Sequence, residues 1–425
     1  MPKQFESTVR VTLLVGALIM SAACAAPESS ERNEQPRLER DARSLALIDQ
    51  LAEGPLRTRL DACRDLPVRP SRFSIAHRGA PLRYPEHTRE SYLAAARMGA
   101  GVIECDVTFT SDRALVCRHA QCDLATTTNI LETELAARCS EGFSPAAFDE
   151  ATGERVRAAS ARCCTSDLTL AEFKSLSGRH DRHDPDATSV AQWLRPQAEA
   201  VVSGYPDHGE LMTHAESIEL FQGLGVGMAP ELKVPEVEMP FEGDYSRQDY
   251  AQALLDAYLE AGVPADRVTF QAFSRDDILY WLSAAPEFGQ RAAWGTGGDP
   301  RLPQPSQADF EKIRTSGIRR LAPPLPRLLE LDAEGEIVAS PYARQAREAG
   351  LELIPWTLER SGVIRGGRVE GRSVDFYLGT ILSALESEGD IYRILQALHE
   401  EVGASAVFSD WPGTTTYYAN CVGLE

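Results

Sequence analysis

The sequence predicts an α/β fold in which eight parallel strands close into a barrel. Three observations carry that expectation. From residue 73 onward, short apolar runs rich in β-formers alternate with stretches of helical periodicity. Eight such runs can be counted, the number that closes a barrel of this kind. At one point the link between two runs is too short for a parallel crossover, so a hairpin must interrupt the alternation.

In chain order the strand runs are 73–77, 101–107, 226–234, 267–273, 290–295, 317–322, 351–357 and 405–410. Helices are expected over 89–98, 248–261, 275–283, 341–349 and 375–398, where apolar residues recur every three or four positions. The short link runs from Val107 to Leu115 and reverses the chain. With Ser111 and Asp112 at the turn, 104 pairs with 119 and 106 with 117. Strand parity then sets Glu104, Asp106 and His119 on one face and Cys105 on the other.

Residues 120–225 form a long insertion with four cysteines and the run His180, Asp181, Arg182, His183. A segment of that length needs structure of its own, and a disulfide-braced cap near the barrel mouth is expected. Within it, Thr169 with Glu172 and Thr213 with Glu216 have the spacing of capping boxes. His180 and His183 are expected to be solvated. The glycines at 295–298 read as a flexible loop and not a phosphate cradle, because no helical pattern follows them.

Residues 1–26 have the features of an export signal: Lys3 and Arg10, an apolar run over 11–20, then small residues over 21–26. The apolar core is too short for a stable membrane anchor. Lipidation at Cys24 and plain cleavage after Ala25 or Ala26 are both open; Ser21 stands where lipoprotein signals usually carry Leu. Residues 27–43 look like a charged flexible spacer. The resulting division is a signal over 1–26, a spacer with an N-terminal helix over 27–60, and a barrel domain over 61–425. An exported protein is expected, periplasmic, anchored to the outer membrane through Cys24, or secreted.

Nine cysteines in an exported chain favour disulfides over a thiolate metal site, and none has zinc-type spacing. Without Cys24 an even set remains at 63, 105, 117, 122, 139, 163, 164 and 421, with pairing undetermined. A bridge between Cys63 and Cys421 would staple the two ends of the barrel domain. At 425 residues and 43% hydrophobic content the chain can bury a large core. Its formal net charge of -20, from 63 acidic and 43 basic residues, excludes electrostatic binding to a nucleic-acid backbone.

The most informative motifs are Ser74, Ile75, Ala76, His77, Arg78, Gly79; Pro85, Glu86, His87, Thr88; Ile103, Glu104, Cys105, Asp106, Val107; Val116, Cys117, Arg118, His119; and Glu231, Leu232, Lys233. Gln271, Ala272, Phe273, then Trp356, Thr357, and finally Ser409, Asp410, Trp411, Pro412 continue the series. Each motif is weak alone. In this order the set resembles the glycerophosphodiester phosphodiesterase family over about residues 73–413. The resemblance implies a (β/α)8 TIM barrel, here with a hairpin after the second strand. It also implies metal-dependent hydrolysis of a glycerophosphodiester to an alcohol and glycerol 3-phosphate. By the same resemblance His77 and His119 form a general acid and base pair, with His119 favoured as the acid. The substrate's own glycerol hydroxyl is the expected nucleophile, giving a cyclic phosphate that water then opens.

The residue types suit that chemistry. Glu104, Asp106 and Glu231 are hard oxygen ligands at strand ends, suited to a single Ca2+ or Mg2+. Arg78 offers a planar fork for phosphate, and Lys233 a point charge on the same strand face as Glu231. Glu86 has either a metal-site or histidine-orienting role or a structural hydrogen bond. Trp356 is either a core aromatic or a wall for the glycerol carbons. Two positions depart from the family pattern: His87 stands where Asn is usual, and Ala120 where Asp follows the second histidine, with Asp123 a candidate replacement. Two other readings stand beside this one: phospholipase D action on a lysolipid, and a degenerate barrel that binds a phospho-ligand without turnover.

Overall fold

Each of the eight apolar runs becomes a parallel strand, longer than its run in the first two cases and shorter in the other six. In this computed structural model β1 spans Ser71–Ala76, β2 Ala100–Phe109, β3 Leu115–Cys117, β4 Gly227–Leu232, β5 Gln271–Ala272, β6 Ala293–Gly295, β7 Arg320–Ala322, β8 Glu352–Leu353 and β9 Val407–Ser409. The structure describes Met1 and residues 37–195, 206–297, 304–360, 368–369, 372–373 and 375–425. Apart from Met1, the expected signal with Cys24 and the spacer up to residue 36 lie outside the described residues, as does Gly298.

The sheet order is β8-β7-β6-β5-β4-β2-β1-β9, with β3 antiparallel to β2 at the side. Its two ends are joined by Ser405 N to Leu353 O (3.0 Å), Phe408 N to Pro355 O (3.0 Å) and Leu358 N to Phe408 O (2.9 Å). These bonds curl the sheet into a TIM-type barrel. Inside it, Ile75, Val102, Ala229, Ala293, Ala322, Ile354, Ala406 and Phe408 make an apolar floor. Outside, Phe270, Trp281, Phe310 and Tyr258 pack the sheet against its helices. Burying one such aromatic contributes roughly 1.5–3 kcal/mol.

Helices cover Arg89–Arg97, Arg247–Glu260, Arg275–Ala284 and Pro341–Glu348, close to expectation. The capping boxes at Thr169/Glu172 and Thr213/Glu216 both form. The long helix expected over 375–398 does not. That segment breaks into Asp375–Leu378, the turns Leu382–Ala384 and Glu388–Asp390, and Ile391–Gln396. Two features break it: Ser387 caps a new start with Asp390, and Gly389 lies against a neighbouring helix, where a Cβ would sit 2.4 Å from Leu47 O. That neighbour is Ala42–Gln50, so the last two residues of the expected spacer are helical. Arg43 pairs there with buried Glu359.

The hairpin differs from expectation by one residue. Val107 pairs with Cys117, Thr108 with Val116 and Phe109 with Leu115. The cause is the turn: Thr110 N bonds Ala114 O and Arg113 adopts φ 63, so three residues and not two close the loop. A continued β3 would put His119 opposite Cys105. Instead β3 ends at Cys117, Arg118 N bonds Asp106 O at 2.8 Å, and the departing chain brings His119 to the cavity.

The eight cysteines pair as 63–421, 105–117, 122–164 and 139–163. The last two brace the insertion, which has its own apolar cluster around Leu124, Ile130, Phe173, Trp193 and Leu211. The helix His214–Leu224 at the end of that segment belongs to the barrel, with Ile218 and Phe221 in the main core. In the histidine run His183 is exposed, as expected, with its ring stacked 4.6 Å from that of Trp193, while His180 is half-buried and its backbone N–H donates to Asp207 Oδ1 at 2.9 Å. No helix among the described residues is long and apolar enough to cross a membrane.

Cys122 and Cys164 are 42 residues apart, and closing a loop of that size removes about 4 kcal/mol of denatured-state entropy. Replacing both by Ser is expected to lower unfolding free energy by about 2–4 kcal/mol, read by denaturant titration under oxidising conditions. An unchanged midpoint would show that the bridge does not hold the insertion together.

Candidate active site

Strand parity builds the site on the floor. Two positions beyond the inward-facing Ile75, Val102, Ala229, Ile354 and Phe408 come His77, Glu104, Glu231, Trp356 and Asp410. The side chains that carry chemistry therefore gather at the carboxyl ends of the strands, as barrel geometry requires.

β2 and β4 run in register with Glu104 beside Ala229 and Asp106 beside Glu231. One carboxylate oxygen from each of Glu104, Asp106 and Glu231 lies within 4.8 Å of the others, and all three side chains are buried. Burial, with repulsion from Asp106 and Glu231, pushes the Glu104 carboxyl well above the usual range. Glu231 is also raised, by burial and Asp106 against the pull of Lys233. Burial acts on Asp106 in the same sense, yet Lys233, His87 and Arg78 hold it low. Lys233 Nζ donates to Glu231 Oε1 at 2.7 Å, and Gln271 Nε2 to Glu104 Oε1 at 3.1 Å.

His87 is part of this centre. Its Nε2 lies 3.0 Å from Asp106 Oδ2 and its Nδ1 3.0 Å from the Tyr92 hydroxyl. The position that departs from the family pattern thus holds one of the three carboxylates. Asp106 Oδ1 is buried with no hydrogen-bond partner among the described residues.

The turn after β1 places Arg78. Its backbone N–H donates to Glu104 Oε2 at 2.8 Å while its guanidinium Nη1 donates to Glu86 Oε2 at 2.9 Å. Both ends are engaged because the chain turns sharply, with φ 56 at Arg78 and 91 at Gly79. Only glycine fits at 79, since a Cβ would fall 2.5 Å from Ser91 Oγ.

His77 Nδ1 is 2.6 Å from Asp410 Oδ1, and its Nε2 is 3.9 Å from Glu104 Oε2. Asp410 also accepts from Thr357 Oγ1 (3.1 Å) and Arg360 Nη1 (3.0 Å). Arg360 continues to Glu86 Oε2 at 3.2 Å. Glu86 is therefore a bridge between Arg78 and Arg360. The ring nitrogen of His119 lies within 4.8 Å of carboxylate oxygens of Glu86 and Asp123, and His119 makes no hydrogen bond among the described residues. Asp123 accepts from Ala120 N at 3.0 Å and is pushed up to about 7 by burial.

Of the residues expected at the site, the structure brings His77, Arg78, Glu104, His119, Glu231, Lys233 and Trp356 to one cavity of about 290 Å³. Sequence reasoning gave no role to Asp410 and Gln271, although both sit in motifs it had singled out. Arg360 was missed outright. A lone arginine after a strand run carries no pattern; only the fold shows what it joins.

The model of the glycerophosphoryl diester phosphodiesterase family matches residues 77–414. A protein of Arthroderma benhamiae described as "Extracellular protein" is 39% identical over 247 residues, which is 57% of this chain and 100% of that protein. A "Probable glycerophosphodiester phosphodiesterase 1" of Mycobacterium tuberculosis is 51% identical over 47 residues, 11% of this chain and 17% of that one. Among solved structures, one from Silicibacter pomeroyi DSS-3 that carries the same family name superposes with a TM-score of 0.54 at 16% identity, covering 87% of this chain and 99% of that one. At that identity it speaks to the fold alone. With the family model spanning the barrel from His77 to beyond Asp410, the chain belongs to the glycerophosphoryl diester phosphodiesterase family.

Proposed function

We propose that the cavity hydrolyses glycerophosphodiesters to an alcohol and glycerol 3-phosphate with the help of one divalent cation, Ca2+ or Mg2+. The observation that carries this reading is the convergence of Glu104, Asp106 and Glu231 within 4.8 Å, beside Arg78 and two imidazoles. The residues fit a hard cation. They offer three oxygen donors, Asp106 Oδ1 has no hydrogen-bond partner among the described residues, and a positive ion would offset the mutual repulsion that, with burial, raises Glu104 and Glu231.

A cation bound by these three residues supplies positive charge against the phosphoryl oxygens as charge builds on them. Arg78 and Lys233 add to that charge from the same wall of the cavity. Asp410 accepts from Nδ1–H of His77, which fixes the tautomer and leaves the Nε2 lone pair toward the cavity. That nitrogen takes the proton from the substrate's attacking glycerol hydroxyl, and Asp410 stabilises the imidazolium that forms. His119, which has no such carboxylate hydrogen bond, gives its proton to the leaving alkoxide oxygen. Water then opens the cyclic phosphate to glycerol 3-phosphate with the two imidazoles in reversed roles. The four disulfides, and the description of the Arthroderma relative, support export of the chain.

Purified protein with Ca2+ or Mg2+ is expected to release glycerol 3-phosphate from glycerophosphodiesters, and chelation to stop the release; an undiminished rate in chelator would refute the metal requirement. Glu231→Gln is expected to weaken metal affinity and lower the rate together, because an amide is a poorer ligand for a hard cation. Full activity with an unchanged metal titration would remove Glu231 from the set. His77→Ala and His119→Ala are each expected to lower kcat by about 10²–10⁴-fold at unchanged Tm. A variant with the parental rate would take that histidine out of proton transfer.

A further inference from the structure

Strand order divides the barrel mouth in two. The charged and imidazole side chains that line the cavity, His77, Arg78, Glu104, His119, Glu231 and Lys233, come from β1, β2 and β4 and the segment after β3. On the opposite arc, the ends of β5, β6, β7 and β8 present Phe273, Gly295, Ala322 and Trp356 to the same cavity. None of these four is charged.

The aromatic rings are arranged around a recess. Phe273 and Tyr377 stand at 77° and 79° to the Trp356 ring, with centroids 5.9 and 6.5 Å from it. Trp356 donates its indole N–H to Ala322 O at 2.8 Å, which fixes the ring and spends its only donor. Gly295 and Ala322 keep the recess open; a Cβ at 295 would already come within 3.0 Å of the Phe273 ring.

A glycerophosphodiester joins two unlike arms through its phosphate, a hydroxyl-rich glycerol and a second alcohol. With the phosphate on the charged arc, an alcohol arm facing these four residues meets no side-chain hydrogen-bonding group but the indole N–H already given to Ala322; the polar side chains on this side of the cavity are the Tyr377 hydroxyl and Gln271, whose amide N–H groups are turned to Glu104 and Ala229. Resting on the function proposed above, we infer that this recess takes the alcohol arm and selects a trimethylammonium alcohol of the choline type. A quaternary ammonium has no N–H to satisfy and is attracted to aromatic faces. The net charge of -20 favours a cationic arm over a neutral one of the same shape. A cavity of about 290 Å³ sits at the small end of ligand sites, which suits a head-group diester and leaves little room for an acyl chain.

The test compares kcat/KM for glycerophosphocholine, glycerophosphoethanolamine and the 3,3-dimethylbutyl diester, in which carbon replaces the quaternary nitrogen. Calorimetry with choline and with 3,3-dimethylbutan-1-ol reads the recess without turnover. The choline diester is expected to exceed both others at least fivefold, and choline to bind more tightly than its carbon analogue. Phe273→Leu and Tyr377→Leu, which keep apolar bulk and lose the π faces, are expected to bring both ratios toward one. Equal rates for the three diesters, or a carbon analogue as good as choline, would overturn the inference and leave the phosphodiesterase reading standing. Preferential choline binding with no diester hydrolysed would sink that reading while upholding the recess.

Discussion

Three carboxylates buried within 4.8 Å of one another set the terms for the rest of the molecule. Each pair of like charges at that distance repels by about 3 kcal/mol at an effective dielectric near 20. The surroundings are arranged against that repulsion. An ammonium meets Glu231, an imidazole meets Asp106, and a side-chain amide and a backbone N–H meet Glu104. Even so, burial and the remaining repulsion from Asp106 keep Glu104 and Glu231 above their ordinary range. Binding chemistry and the tension in the fold are here one problem.

A second chain of buried charge lies behind the first. Arg360 links the carboxylate behind His77 to the one behind Arg78. Buried ion pairs of this kind add little net stability, because desolvation offsets the attraction. Their effect is geometric: a shift of Arg360 moves Asp410 and Glu86 together, and with them the imidazole and the guanidinium that face the cavity.

Much of this was legible in the sequence, because local pattern and global fold agree in the barrel. The alternation of apolar runs gave all eight strands, and parity put Glu104 and Asp106 on one face and Cys105 on the other. The hairpin register was missed by one residue because the turn contains a third residue, Arg113, whose positive φ no propensity announces. The helix over 375–398 was overread because periodicity does not register that Gly389 must touch another helix. His87 looked like a loss when compared with a family pattern, and proved to be a partner of Asp106 once its ring could be followed. What stayed invisible was Arg360 and the link it makes: Arg360, Asp410 and Glu86 are far apart in the chain and meet only through packing.

The insertion hangs from a narrow, stiff base. Its entry is tied to β2 by Cys105–Cys117, and its two ends touch through Cys117 N to Met212 O at 3.0 Å and a bridge between Val116 and Thr213. Whatever lies between those points closes a circuit whose ends are already fixed, and lengthening such a circuit costs little, since closure entropy grows only with the logarithm of its length. The segment between them is thereby a graft site: evolution can trim, extend or replace it while the barrel keeps its registration, much as a socket accepts different fittings.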